Sequence, residues 1–211
     1  MRRLPVYLLI DTSGSMRGEP IQSVNVGMES LIASLRQDPN ALESVYVSII
    51  TFDREVKVLV PLTALDEFQL PAIQTPESGP THLGRALEVL CTQLDSELIQ
   101  STPDRKGDWL PLMFVMTDGS PSDLALFNAQ VAEIRRRPFG QIIGCAAGPK
   151  ARHQYLSEFC SSVVSLDTTD SSTFISFFKW VSQAVTIGNR SLGAAAGMTL
   201  PPPPAEVQMV V

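Results

Sequence analysis

A chain of 211 residues fits one domain, and at that length roughly 70% of the unfolded surface can be buried without a disulfide or a structural metal. Its apolar share of 44% and charged share of 18% are those of an ordinary globular protein. The formal net charge of -6 argues against nucleic acid and anionic membrane surfaces, which are held by lysine and arginine. The one basic run, Arg135-Arg136-Arg137, suits the end of a helix, where cations complement the macrodipole. Three cysteines, Cys91, Cys145 and Cys160, are odd in number and show no Cys-x-x-Cys spacing. They read as buried free thiols of a reducing, cytoplasmic compartment, and zinc within the chain is not expected. The apolar run at residues 4–10 is too short for a signal peptide and meets Asp11 at once; no stretch approaches the roughly 20 apolar residues of a membrane span.

In chain order, residues 5–10 form a continuous apolar run that predicts a strand buried on both faces. After a polar, glycine-containing loop, Ile21, Val24, Met28, Leu31, Ile32 and Leu35 recur at helical spacing until Asp38-Pro39 stops them. Residues 45–52 predict a second buried strand. The Asp53-Arg54 turn then leads into alternating Val56, Val58 and Val60, so this pair of strands must be antiparallel. Residues 66–80 read as a loop, and Leu83, Ala86, Leu87, Leu90, Leu94 and Leu98 as one face of a helix. Residues 110–116 predict a strand closed by Thr117-Asp118-Gly119. Ser122 or Asp123 is placed to cap the next helix, which carries Phe127, Val131 and Ile134. A strand at 142–146, a short helix near 152–160, a strand at 163–166 and a helix bearing Phe174, Phe177, Phe178, Val181 and Val185 complete the pattern. Strands alternating with helices imply an α/β, doubly wound, mainly parallel sheet with one antiparallel edge strand and helices on both faces. Residues 1–190 are expected to form this domain. Residues 191–211, with the run Pro201-Pro202-Pro203-Pro204, read as a Pro-rich tail or linker.

Ligands of an open α/β sheet bind beyond the carboxyl ends of its strands. Three polar loops emerge at or beside such ends: Asp11-Thr12-Ser13-Gly14-Ser15, Gly79-Pro80-Thr81 and Thr117-Asp118-Gly119-Ser120. Together they offer two carboxylates and several hydroxyls with no cysteine, an all-oxygen set that suits a hard cation. An Asp-x-Ser-x-Ser spacing lets alternate side chains of an extended loop point to one side.

The motif Asp11-x-Ser13-x-Ser15, Thr81 in a Gly-Pro-Thr-x-x-Gly setting and Thr117-Asp118-Gly119 resemble the metal-ion-dependent adhesion site (MIDAS) of von Willebrand factor A domains. The resemblance covers about residues 4–188. It implies that Ser13 and Ser15 bind a divalent cation directly, and that Thr81, Asp11 and Asp118 divide between direct and water-mediated contacts. The sixth position is left to water or to a Glu or Asp of a protein partner. Mg²⁺ is the expected ion, with Mn²⁺ and Ca²⁺ open. The lead-in Pro5-Val6-Tyr7-Leu8-Leu9-Ile10-Asp11 and the stretch Arg17-Gly18-Glu19-Pro20-Ile21 further resemble the bacterial tellurium-resistance TerY proteins. That likeness implies a stress-response setting with a kinase or phosphatase as partner.

Two other functions compete with metal-dependent protein binding. A Mg²⁺-dependent phosphatase or phosphotransferase could use Asp11 as nucleophile. Haloacid-dehalogenase-type enzymes place a second Asp two residues on, however, where this chain has Ser13, and no phosphate loop or Gly-x-Ser-x-Gly elbow exists. Enzymatic activity is therefore not expected. The other competitor is a scaffold whose ion only ties loops together. His82 either approaches the site or faces solvent at a helix start, and His153 reads as an exposed helix residue. Glu19 and Asp123 either shape partner choice or serve as capping and surface residues. Trp109 and Trp180 read as packing anchors.

Overall fold

A computed structural model describes residues 2–77, 79–148, 151–191 and 200–210. Among these residues, seven strands form one sheet in the order β3-β2-β1-β4-β5-β6-β7. They are β1 (Leu4–Asp11), β2 (Val45–Phe52), β3 (Val56–Ala64), β4 (Leu112–Thr117), β5 (Gln141–Ala147), β6 (Ser162–Leu166) and β7 (Val207–Met209). The helices are α1 (Glu19–Arg36), α2 (Pro39–Ser44), α3 (Leu83–Glu97), α4 (Leu124–Arg136), α5 (His153–Ser157) and α6 (Ser171–Ser191).

β1 pairs in parallel with both β2 and β4, and β4, β5 and β6 continue in parallel. The β2–β3 hairpin is antiparallel, as its short turn requires. Every residue of β1 is buried. Leu4, Val6, Leu8 and Ile10 point into the core beneath α1 and α6, while Tyr7 and Leu9 point into the core beneath α3, α4 and α5. This two-faced burial is why β1 reads as an unbroken apolar run instead of an alternating one. On the first face α1 and α6 pack so closely that a Cβ at Gly27 would overlap the ring of Phe178. On the second, a Cβ at Gly84 would overlap the backbone of Phe127, so α3 and α4 touch at the glycine.

The strand order departs from β1 in two directions, toward β2 on one side and β4 on the other. The switch point of the sheet therefore lies between β1 and β4, where doubly wound folds open a crevice for ligands. Asp11 ends β1 there and Thr117 ends β4.

Four local expectations give way to the structure. Asp38-Pro39 stops α1 but also starts α2: the Asp38 carboxylate accepts from the Asn40 backbone N–H and proline stands at the first helical position. β4 begins at Leu112, because Pro111 cannot donate to a ladder and Leu110 is 48% exposed. Neither Ser122 nor Asp123 caps α4 with its side chain. Lastly, residues 200–210 are not a free tail. Val207 pairs with Leu166 antiparallel and is buried, the Trp180 indole donates to the Pro201 carbonyl at 2.9 Å, and Gln208 donates to Asp167. The sheet thus has a second antiparallel edge that the sequence reading missed. Residues 192–199 of the expected tail lie outside the described residues.

Candidate functional site

The site begins with Asp11, fully buried at the end of β1. Its Oδ1 accepts from the Ser13 backbone N–H at 2.7 Å, and its Oδ2 accepts from the Thr117 hydroxyl at 2.5 Å. The second bond crosses the switch point and ties the ends of β1 and β4 together. Burial pushes the Asp11 carboxyl up to about 6, against the Thr117 and Ser13 hydrogen bonds that favour its charged form; the Asp118 charge adds a smaller upward push.

Beyond Asp11 the chain does not stay extended. Gly14–Met16 forms one 3₁₀ turn, closed by the Met16 N–H on the Ser13 carbonyl at 2.9 Å. The turn, and not strand-like alternation, is what brings the two serines together. The Ser13 and Ser15 hydroxyls stand 3.2 Å apart, and Ser15 donates to Asp118 Oδ1 at 2.9 Å. Met16 is buried beneath the turn and anchors it, while Ser15 is exposed above it.

Thr81 is brought in by the segment before α3. Its backbone N–H donates to the Ser122 hydroxyl at 3.1 Å, and the Ser122 N–H returns a bond to the Thr81 carbonyl at 2.8 Å. The Thr81 hydroxyl lies against the β4–α4 loop: a methyl group at Gly119 would stand 3.3 Å from it. Asp123 acts one element away from where the sequence suggested. Its carboxylate accepts from the Gly84 and Arg85 N–H groups at 3.1 and 2.8 Å, and so caps α3, whose own N-cap, His82, makes no side-chain cap bond. Of the two readings of Asp123, capping is the one realised.

All five expected positions therefore gather at one pole of the sheet. Asp11, Ser13, Ser15 and Asp118 are linked by hydrogen bonds, and Thr81 lies against the loop that carries Asp118. His82 is half-buried, and its Nδ1 is 3.0 Å from the Arg54 carbonyl. Glu19 opens α1 as an exposed first-turn acid. Trp180 is buried, and Trp109 is half-buried beneath the Arg2 guanidinium at 3.5 Å. Three supporting residues were not foreseen. Thr117 holds Asp11; Thr12 donates to Asp53 Oδ2 at 2.8 Å; and the Asp53 carbonyl accepts from the His82 N–H at 3.1 Å. The clustered Thr-Asp pairs at loop starts hinted at the threonines, but the partners of Thr12 and Thr117 lie 41 and 106 residues away.

Among the described residues no group of three or more His, Cys, Asp or Glu side chains is placed to hold a metal. What converges instead is a set of hydroxyls with two carboxylates, a hard-oxygen set. Cys91 and Cys145 are buried free thiols and Cys160 is half-buried, all raised by burial above the ordinary thiol range. No described helix is long and apolar enough to cross a membrane.

The model of the von Willebrand factor type A domain matches residues 6–178. The chain belongs to that family. Its fold is shared with solved structures of low identity. One is a von Willebrand factor type A protein from Catenulispora acidiphila, at 15% identity and a TM-score of 0.64 over 88% of this chain and 43% of that one. Another is proximal thread matrix protein 1 of the mussel byssus with a zinc-occupied MIDAS motif, at 16% identity and a TM-score of 0.61 over 86% and 48%. A third is the ArnB paralog VWA2 of Sulfolobus acidocaldarius, at 14% identity and a TM-score of 0.58 over 87% and 45%. The chain thus spans less than half the length of each. No curated protein matches the chain significantly. Von Willebrand A domains are in general protein-interaction modules.

Proposed function

We propose that this von Willebrand A domain holds one divalent cation, Mg²⁺ in the cell, through Asp11, Ser13, Ser15, Thr81 and Asp118, and that a protein partner completes the site with a Glu or Asp. The observation that carries this reading is the convergence of oxygens from three separate loops, with Ser15 donating to Asp118 and Ser13 beside it. The donor set fits the ion. Hydroxyls bring no charge, so two carboxylates leave the cation electrophilic enough to take a third from outside. When bound, the ion supplies that electrophilic coordination position and nothing more. Buried Asp11 has its oxygens turned to Ser13 and Thr117, and so holds the serine turn and the β4 end in place. Exposed Ser15 and half-buried Asp118 stand at the rim, where a partner reaches them. The zinc-occupied MIDAS motif of the mussel relative supports a divalent ion at this position of the fold.

On the sequence resemblance to TerY proteins, the partner is a kinase or phosphatase of a bacterial tellurite-resistance or stress system, and the encounter is cytoplasmic. Affinity capture tests this reading. Wild-type and Asp118→Ala baits are compared, each with Mg²⁺ and with chelator. A partner retained only by metal-loaded wild type is the expected result. A partner held equally by all four baits would remove the ion from the interface.

A further inference from the structure

A groove of about 530 Å³ opens beside these loops, between the β2–β3 hairpin and residues 72–76. Its near wall is the Thr12–Asp53 pair, whose 2.8 Å bond also ties the serine turn to the hairpin. From that wall the lining passes Arg54 to Leu59, with Gln74 and Pro76 across from them. The groove therefore leads away from the candidate cation position along the edge strand of the sheet.

Its charges are unevenly committed. Lys57 is engaged by Glu55 at 3.0 Å. Asp53 directs one carboxylate oxygen to Thr12 and the other to the Glu55 N–H. Arg54 is exposed and forms no ion pair among the described residues, and the same holds for Arg17, which directly follows the serine turn. A chain of net charge -6 thus flanks this turn with two uncommitted guanidinium groups, each a planar fork suited to a carboxylate. Hydroxyl and amide side chains along the groove match the main-chain groups of an extended segment.

Resting on the metal-centre reading, we infer that the partner enters as an extended, doubly acidic segment. One carboxylate completes the cation, and a second, a few residues along the groove, pairs with Arg54. Arg54 is then a specificity-determining residue, because an exposed cation selects partners by charge and steers their approach.

The test uses phage-displayed dodecapeptides with one fixed Glu and all other positions random. They are selected on the wild-type chain with Mg²⁺ and with chelator, and on Arg54→Glu and Leu59→Glu, both at exposed positions. Thermal unfolding checks that the variants are folded. The expected Mg²⁺-dependent pool carries a second Asp or Glu on one side of the fixed Glu, and Leu59→Glu depletes it. The best synthetic peptide should lose about fivefold in affinity on Arg54→Glu, the scale of one exposed ion pair. Exchanging its second acid for Lys should restore binding to that variant. A Mg²⁺-dependent pool with no acidic preference beyond the fixed Glu, or an affinity indifferent to Arg54→Glu, overturns the inference and leaves the metal centre standing. A pool that binds equally in chelator overturns both. A selection that enriches nothing overturns the extended-segment ligand, and direct Mg²⁺ titration then reports on the centre alone.

Discussion

At Asp11 the chain places a carboxylate where water cannot reach it and gives it hydrogen-bond donors from Ser13 and Thr117. Burial dominates, and the carboxyl moves from its ordinary 3.8 to about 6. In the metal-free protein the folded state therefore holds this proton more tightly than the unfolded chain. The stability linked to it is complete below 3.8 and is lost as pH rises through about 6, a loss on the order of 3 kcal/mol. Urea unfolding of wild type and Asp11→Asn between pH 3.5 and pH 7.5, in chelator, isolates the effect as a difference between the two profiles. Wild type should lose stability relative to the variant across that window; parallel profiles would mean that Asp11 is not the buried acid described here. At this scale the sequence was legible where a residue's role is local, as with Asp11 beside Ser13. It was opaque where the partner is remote. Nothing in the order Ser122-Asp123-Leu124 says that Asp123 will cap α3, because that contact exists only once α3 and α4 lie side by side.

Among the elements, those whose pattern is set by burial were the readable ones. β1 and α1, and the face of α3 that meets the sheet, follow from apolar spacing alone. The 3₁₀ turn at Gly14–Met16 was not, since short turns carry no period, and its closing bonds involve backbone atoms of residues that any loop could contain. β7 was hidden for a different reason. Three residues after a proline run give too short a pattern, and their strand character comes from the open edge of β6. The strand is nonetheless part of the folded unit, with Val207 packed into the core beneath α6. Val207→Asp should therefore lower the free energy of unfolding by about 2–4 kcal/mol, read from the urea midpoint, because it buries an unpaired charge. A change within about 0.5 kcal/mol would return residues 200–210 to the status of a linker.

For the molecule as a whole, topology does what no single element can. The strand order turns at β1 and β4, so Asp11 and Thr117 end side by side while the chain between them travels out to the hairpin and back through α3. Three loops far apart in sequence meet at this one pole, and the meeting of the loops that carry Asp11 and Asp118 was legible because each follows the end of a buried strand. The shape of the groove beside them was not, since it is made by how residues 72–76 lie against the hairpin. The unfolded chain cannot assemble these oxygens, so an ion that binds them binds only the folded state and must stabilise it. Calorimetric titration of Mg²⁺ into the wild-type chain, Thr81→Ala and Asp118→Ala tests this most directly. We expect one site per chain in wild type, with affinity at least about tenfold weaker in each variant, as for the loss of a metal contact or its supporting shell. Titrations that show no binding to wild type, or the same affinity in all three proteins, would contradict a cation held by these loops.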